Sequence, residues 1–321
     1  MDFLKFIKQD LVLFDNQFKT ALSSKATLLR KVTLYLNKQA GKKIRPICTI
    51  IAAGLCGTIQ DKTYRGAVLV ELLHTATLIH DDIVDDAYLR RNQFSINAIW
   101  KNKVAVLIGD YFLAKGLKLA VSSKDFDFLY LMSDVVQKIV EGELIQIEKT
   151  KKLNLKEQEY LKIIELKTGS LFQSSFAAGA VSVGANSKTL EIMSQVGLKI
   201  GLIFQIKDDI LDYPTKSKKS GKKMGNDIQE GKINLPLLSA INKMKFNEKR
   251  HVYSILRKKT NNAAEIKFVQ DLVFLYRGIE YAESLISKYY NEVISLISSF
   301  ENNQYKESLL SLLKYLMIRS K

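Results

Sequence analysis

The stretch Glu71-Leu72-Leu73-His74-Thr75-Ala76-Thr77-Leu78-Ile79-His80-Asp81-Asp82-Ile83-Val84-Asp85-Asp86 decides the fold. Leu69, Leu72, Leu73, Ala76, Ile79 and Ile83 recur at three- and four-residue spacing, the stripe of a helix that packs one face inward. On that helix Asp81 and Asp85 are four apart, as are Asp82 and Asp86, so their carboxylates project from neighbouring rows of one side. The arrangement returns at Ile206-Lys207-Asp208-Asp209-Ile210-Leu211-Asp212-Tyr213, where Asp208 and Asp212 repeat the spacing. Like charges so placed destabilise a helix by roughly 0.2 to 0.5 kcal/mol per pair, and apolar surroundings make unpaired charge far more costly. Some cation must compensate them.

Lysine or arginine suffices for a single acidic run. Two clusters of one form, each facing out of an apolar stripe, point instead to metal. Hard oxygen donors suit Mg²⁺, which takes one or two carboxylates and completes its octahedron with water and substrate phosphates. The pattern therefore predicts a phosphorylated substrate. Zinc is disfavoured, because the three histidines, His74, His80 and His251, form no HExxH arrangement and the two cysteines form no ligand pair.

Working outward, 321 residues with 47% apolar content can bury one large core, and a single domain over residues 1–321 is expected. Only three prolines interrupt the chain, apolar residues keep helical spacing throughout, as in Leu11, Phe14, Phe18 and Leu22, and alternating runs are scarce. The fold class read from this is all-α. Residues 1–8 read as the amphipathic start of a helix, not a secretory leader. The longest uncharged stretch, from Ser170 to Asn186 and just beyond, is diluted by Ser, Gln, Gly and Asn, which suits a buried helix better than a bilayer span. Cys48 and Cys56, eight positions apart on one helix, are separated by about 12 Å at helical rise, too far for a disulfide. These features describe a soluble cytoplasmic protein with reduced thiols.

The net charge of +16 fits lysine-rich solvated faces or attraction to nucleic acid, anionic lipid or small phosphorylated substrates, and charge alone does not choose. Cations are placed where phosphate chemistry needs them. Arg90 and Arg91 follow the first cluster by about one turn, and their planar forks suit phosphate oxygens. Lys42 and Arg45 stand three apart near a helix start at Pro46. The P-loop spacing is absent, which argues against a nucleotide triphosphatase. Residues 214–234, rich in Lys, Gly and Ser, read as a loop directly after the second cluster, either a solvated connection or a cover for the site.

Taken together, these residues resemble the trans-prenyl diphosphate synthase family, most densely from Gly41 to Pro236. The resemblance rests on GKKIRP, ELLHTATLIHDD, the Arg90-Arg91 pair, GELIQ at 142–146, Lys167-Thr168, GLIFQIKDD from Gly201 and GKKMGNDIQEGK from Gly221. It implies an isoprenoid-synthase-type bundle of mostly antiparallel helices around a central cavity, with the acidic motifs at its mouth. It implies that Asp81, Asp82, Asp85, Asp208, Asp209 and Asp212 hold about three Mg²⁺ ions on an allylic diphosphate. Arg90, Lys167, Thr168, Gln205, Lys222 and Lys232 would assist them. Lys42, Arg45, His74 and Arg91 would hold isopentenyl diphosphate, with Lys43 a further candidate. The reaction implied is ionisation of the allylic C–O bond, attack by the isopentenyl double bond and loss of a proton, with Asp81, Asp82, Asp85, Lys167, Asp208 and Asp209 as the catalytic set. A homodimer is implied as well, with no nucleic acid and at most peripheral membrane contact for product release. Asn92 and Asn234 depart from the glycine and threonine common in the family, and neither removes a charged ligand.

Ala76 and Thr77, five and four residues before Asp81, are small where farnesyl-type members carry an aromatic ring, and the first motif lacks a two-residue insertion. Small side chains also serve helix packing, but within the resemblance they favour a long-chain polyprenyl product for quinone side chains. The helix around Phe128 and Tyr130 is the expected end of the product tunnel. A short-chain farnesyl or geranylgeranyl synthase is the alternative within the family. A terpene cyclase is disfavoured by Asp208, Asp209 and Asp212, and a non-catalytic partner subunit by the intact ligand set.

Overall fold

A computed structural model of the chain describes residues 2–38, 41–90, 93–214 and 225–319. The all-α expectation holds: a two-residue ladder of β1 (Leu89–Arg90) with β2 (Gln93–Phe94) is the one sheet among the described residues. The helices belong to two compact units, the first made of Met1–Val136, Leu171–Gly197 and Ser299–Ser311, the second of Gln137–Ser170, Leu198–Ser298 and Leu312–Lys321.

The first unit begins with a 3₁₀ turn at Asp2–Leu4, then α1 (Lys8–Leu22), α2 (Thr27–Lys38), α3 (Ile44–Cys56), α4 (Asp61–Val84) and α5 (Ile96–Ser122). The predicted stripe of α1 is the buried one, Phe14, Phe18 and Leu22. Helix α4 is its centre, packed along α5 and also against α3 and α1. Coverage on several sides explains why Thr63, Tyr64 and the run Gly66–Val70 are buried in addition to Leu72, Leu73, Ala76 and Ile79. Cys48 and Cys56 both lie on α3 as free thiols, Cys48 fully buried. Helix α5 is broken at Lys101, whose φ of 71° and ψ of 160° belong to a region that glycine alone holds without strain.

Long helices follow: α6 (Phe126–Lys152), α7 (Glu157–Ile164), α8 (Ser170–Ser182), α9 (Ser187–Leu211) and, after α10 (Asn226–Gln229), the run α11 (Leu235–Lys243), α12 (Phe246–Lys258), α13 (Ala263–Leu275), α14 (Gly278–Ile297) and α15 (Gln304–Ile318). In the second unit α11 packs against α7, α13 and α14. Tyr213, Ile228, Leu237, Ile241, Val252, Ile255, Leu256, Val269 and Val273 form its core. Helix α8 is the buried helix expected from the uncharged stretch at 170–186. By length and composition α9 alone, among the described residues, meets the test for a bilayer span, which the core helix of a globular protein also meets. Its last two turns carry Lys207, Asp208 and Asp209, and Ile200, Ile203 and Ile206 are wholly buried, so α9 is a core helix.

Candidate active site

Both acidic motifs stand at the C-terminal end of a long helix, with Asp81 and Asp82 in the last turn of α4, Asp208 and Asp209 in that of α9, and Asp85 and Asp212 just beyond. That is the negative end of the helix dipole, where a carboxylate is disfavoured. Ordinary helix stability does not explain acids there, and each motif has its own means of tolerating them.

In the first unit, Asp82 is buried at 4% exposure, Asp81 is half-buried and Asp85 is exposed. Arg90 on β1 grips Asp82 through Nε, at 2.8 and 3.0 Å from the two carboxylate oxygens, and through Nη2 at 2.7 Å. Asn97 donates to the Asp82 carbonyl at 3.2 Å, fixing the turn that follows the helix. His80 turns away to α5, its Nε2 3.3 Å from the Val106 carbonyl and 3.5 Å from Asp110, in a space left by the absent side chain of Gly109. It therefore packs and orients, as a histidine beside an acidic motif is expected to do.

Two residues assigned to isopentenyl diphosphate meet directly: Arg45, in the first turn of α3, lies 2.8 Å from His74 Nε2 on α4 and stacks 4.9 Å from the Phe172 ring centre. Lys42 is exposed just before this helix start. Lys43 is committed elsewhere, with its Nζ 2.5 Å from Asp15, its charge near the Phe14 ring and its backbone left-handed at φ 50°. Arg91 lies outside the described residues. Ala76 is wholly buried on α4, whereas Thr77 is half-buried and donates to the His74 carbonyl at 3.0 Å. Phe128 is buried and fills the space over Gly66 of α4, but Tyr130 is 77% exposed and is not placed to close an interior tunnel in this unit.

The second unit holds two of its motif carboxylates, Asp209 and Asp212, with neutral donors. Asp209 accepts from Tyr160 Oη at 2.5 Å, Gln205 Nε2 at 3.0 Å and the Leu235 amide at 3.3 Å. Asp212 accepts from the amides of Gly225, Asn226 and Asp227 at 3.0 to 3.1 Å, anchoring the start of α10, while residues 215–224 of the expected loop lie outside the described residues. Burial first, and repulsion from Asp227 second, push both carboxyls up to about 7. Asp227 is raised too, chiefly by burial. Asn234 ties this cluster together: it caps α11 through the Leu237 amide at 3.2 Å, accepts from Tyr213 Oη at 2.7 Å and donates to Asp227 at 2.9 Å. Its departure from threonine thus adds an amide donor that a hydroxyl cannot reproduce in full.

Lys167 and Thr168 sit on a π-helical turn, Glu165–Gly169, between α7 and α8. Such turns carry one extra residue and often mark functional positions. Lys167 is held by Glu143 and by Gln146 at 3.0 Å. Gly142 permits this, since a Cβ there would lie 2.8 Å from Leu166 and 2.9 Å from Lys167. The string GELIQ therefore has a local meaning: a small residue for close approach, then an acid and an amide that fix one lysine. Thr168 donates to Gln205 at 2.9 Å, and Gln205 to Asp209, a relay from the π turn to the motif. Lys232 pairs with Glu230 at 2.8 Å, and Lys222 lies outside the described residues. Gln146, Lys149, Lys167, Thr168, Gln205, Asp209, Asp227 and Lys232 line one open cleft.

Among the described residues no three His, Cys, Asp or Glu side chains converge as a preformed metal cage. Magnesium needs none, taking one or two carboxylates and filling its shell with water and phosphate oxygens. Buried carboxylates with raised pKa, oxygen-only donors and lysines in one cleft fit such an ion bound together with a diphosphate.

The Polyprenyl synthetase family model matches residues 26–273. The chain belongs to this family. Its relatives include the all-trans-nonaprenyl-diphosphate synthase (geranyl-diphosphate specific) of Rhodobacter capsulatus, 31% identical over 99% of this chain and 97% of the relative. Another is the geranylgeranyl diphosphate synthase of Sulfolobus acidocaldarius, 31% identical over 89% of this chain and 92% of the relative. Among solved structures, a polyprenyl synthase from Caulobacter crescentus complexed with calcium and isoprenyl diphosphate superposes with a TM-score of 0.93 at 30% identity, covering 100% of this chain and 98% of that one. This polyprenyl synthetase is accordingly an all-α transferase of the prenyl diphosphate synthase class. Tyr160, Asp227 and Arg319, which hydrogen-bond or repel the second motif, carry no periodic signal in the sequence. Asp227 alone was within reach, as the one acid in the Gly225-Asn226-Asp227-Ile228 return of the basic loop.

Proposed function

We propose that the chain is a Mg²⁺-dependent synthase that extends an allylic diphosphate with isopentenyl diphosphate, in trans, to a long-chain polyprenyl diphosphate for quinone side chains. The observation that carries this reading is the second-unit cleft, where the buried Asp209 and the half-buried Asp227 share a wall with Lys167 and Lys232, and where the hydrogen bonds to Asp209 among the described residues come from Tyr160, Gln205 and the Leu235 amide. Carboxylates so arranged suit a divalent cation, and the lysines can exchange their glutamate partners for diphosphate oxygens. Bound divalent ions supply charge neutralisation of the departing diphosphate. The chain's own residues do the rest. Lys167, Thr168, Gln205 and Lys232 of the second unit hold the allylic diphosphate. Arg45, oriented by His74, holds isopentenyl diphosphate with Lys42 and Arg91. Preorganised cations of this kind stabilise charge where it develops, and exclusion of water protects the allylic cation.

Long-chain specificity rests on Ala76 and Thr77 and is favoured over a short-chain product by the absence of an aromatic side chain before the first motif. Each further CH₂ buried contributes roughly 0.8 kcal/mol, so an open path draws elongation onward. Ala76→Tyr should give an active enzyme with products shortened to about C15 or C20, since filling a site lined for the chain limits its length. Chromatography of dephosphorylated products tests this, and an unchanged distribution, or a wild type that already stops at such lengths, sinks the long-chain reading.

A homodimer belongs to the proposal. Ile99, Val106, Leu107, Leu117 and Val121 on α5 and Phe126 and Tyr130 on α6 are exposed apolar side chains of the first unit that a second copy of the chain would cover. The two free thiols on α3 accord with a cytoplasmic location.

A further inference from the structure

Arg319, just past the end of α15, is unlike any other arginine in the described structure. Its side chain is 6% exposed, although its guanidinium serves an aspartate that is 43% exposed. Nη2 donates to Asp208 Oδ1 at 2.7 Å and to the Phe204 carbonyl at 2.8 Å, and the guanidinium carbon lies 4.0 Å from the Phe204 ring centre. Asp208 is 111 residues earlier in the chain. The contact is thus a built one: an aromatic platform, a backbone acceptor and a carboxylate hold one planar cation. It is also selective, because Asp209 and Asp212 in the same motif are held by tyrosine, amide and backbone donors.

A carboxylate cannot give its full charge to an arginine and to a metal at once. We propose that Arg319 is a positioning residue of the second motif: it holds Asp208 as its counter-ion in the ligand-free protein and yields that carboxylate to a divalent cation. The proposal rests on the metal-binding reading given above. Arg319 keeps Asp208 from repelling its neighbours until a divalent cation binds, and its release makes metal binding and the anchoring of Arg319 mutually exclusive. The same residue therefore sets a threshold for metal occupancy.

The test is calorimetric titration of Mg²⁺ into protein saturated with a thio-substituted allylic diphosphate that does not ionise, so that no turnover is read. Removal of a competing charge-assisted hydrogen bond should make Arg319→Gln bind Mg²⁺ roughly 10-fold more tightly than wild type. Arg319→Lys should restore most of the competition. A second measurement uses the wild type alone: hydrogen exchange at residues 315–319 should rise when Mg²⁺ and the analogue are added. Unchanged or weaker Mg²⁺ affinity in Arg319→Gln, or unchanged exchange in the wild type, overturns the proposal. A wild type that binds no Mg²⁺ with the analogue overturns the metal-dependent reading itself, and this proposal with it. Arg319→Gln that is merely less stable, with wild-type affinity, assigns the residue to packing alone.

Discussion

Asp82 on α4 meets an arginine eight residues further on, whereas Asp209 on α9 meets a tyrosine, a glutamine amide and a backbone amide. The two motifs share their spacing and their place in a helix, yet Asp82 is neutralised by a full positive charge and Asp209 only by dipoles. The difference teaches that an Asp-Asp-x-x-Asp string specifies donors but not their electrostatic state. In the first unit a short hairpin carries its own cation back to the acid. In the second unit a third acid, Asp227, comes in with the returning chain and raises the energy of the two already there.

The sharpest test of that contrast is a pair of substitutions that agree in activity and disagree in stability. Asp82→Asn and Asp209→Asn should each slow turnover by about 100- to 1,000-fold in an isopentenyl incorporation assay, because each removes a charge the transition state uses. In chelator at pH 8, however, Asp82→Asn should lower Tm by leaving Arg90 with a lost partner in a partly buried pair, while Asp209→Asn should raise it by removing repulsion. The metal-free wild type should itself lose stability with rising pH. Asp209 and Asp212 titrate near 7 in the fold against an ordinary carboxyl value of 3.8, so the folded chain retains protons that an unfolded one has released. Their contribution is full below about pH 4 and is lost by about pH 7. Asp209→Asn should flatten that decline. Equal Tm losses in both variants would break the comparison.

A smaller effect separates the cation sets. Arg45→Ala should raise KM for isopentenyl diphosphate by roughly 10- to 100-fold, the cost of one charge-assisted hydrogen bond, with little change in KM for the allylic substrate. Lys167→Ala should do the reverse or lower kcat, since its partners Glu143 and Gln146 belong to the second unit. Steady-state kinetics with each substrate varied in turn checks this. Indistinguishable profiles would mean that the two units do not divide the substrates between them.

The smallest expected effect lies away from both motifs. Lys101→Gly should raise Tm by about 2 to 4 °C, because strain of about 1 to 3 kcal/mol at φ 71°, ψ 160° outweighs the extra entropy of an unfolded glycine. Differential scanning calorimetry measures it, and a lower Tm would show that the lysine side chain makes good the strain.

Much of this was legible because helical period and motif spacing are local. The stripe of α4, the buried α8, the reduced cysteines and the two acidic turns all follow from residues within one or two helical turns of each other. Other features were not legible, because single contacts over long separations leave no period to read. Tyr160 reaches Asp209 across 49 residues and Arg319 reaches Asp208 across 111. Lys43 illustrates a subtler limit: its place in a basic string suggests a phosphate ligand, and only the fold reveals Asp15 against it. Arg90 was recognised as a cation, and the fold adds that it reaches Asp82 of the first motif.

The π turn at Glu165–Gly169 has a consequence for how this chain can vary. It contains one residue more than an α-helical turn of the same reach, so α7 and α8 are out of phase by about 100° relative to an unbroken helix. Deleting a single residue there would heal the ladder and leave both helices intact by circular dichroism. It would also rotate either Lys167 and Thr168 or the packed face of α8 by that angle. An alteration invisible to secondary-structure content would thus act as a frameshift of side-chain direction. Length at this turn is constrained as tightly as the identity of the lysine it presents.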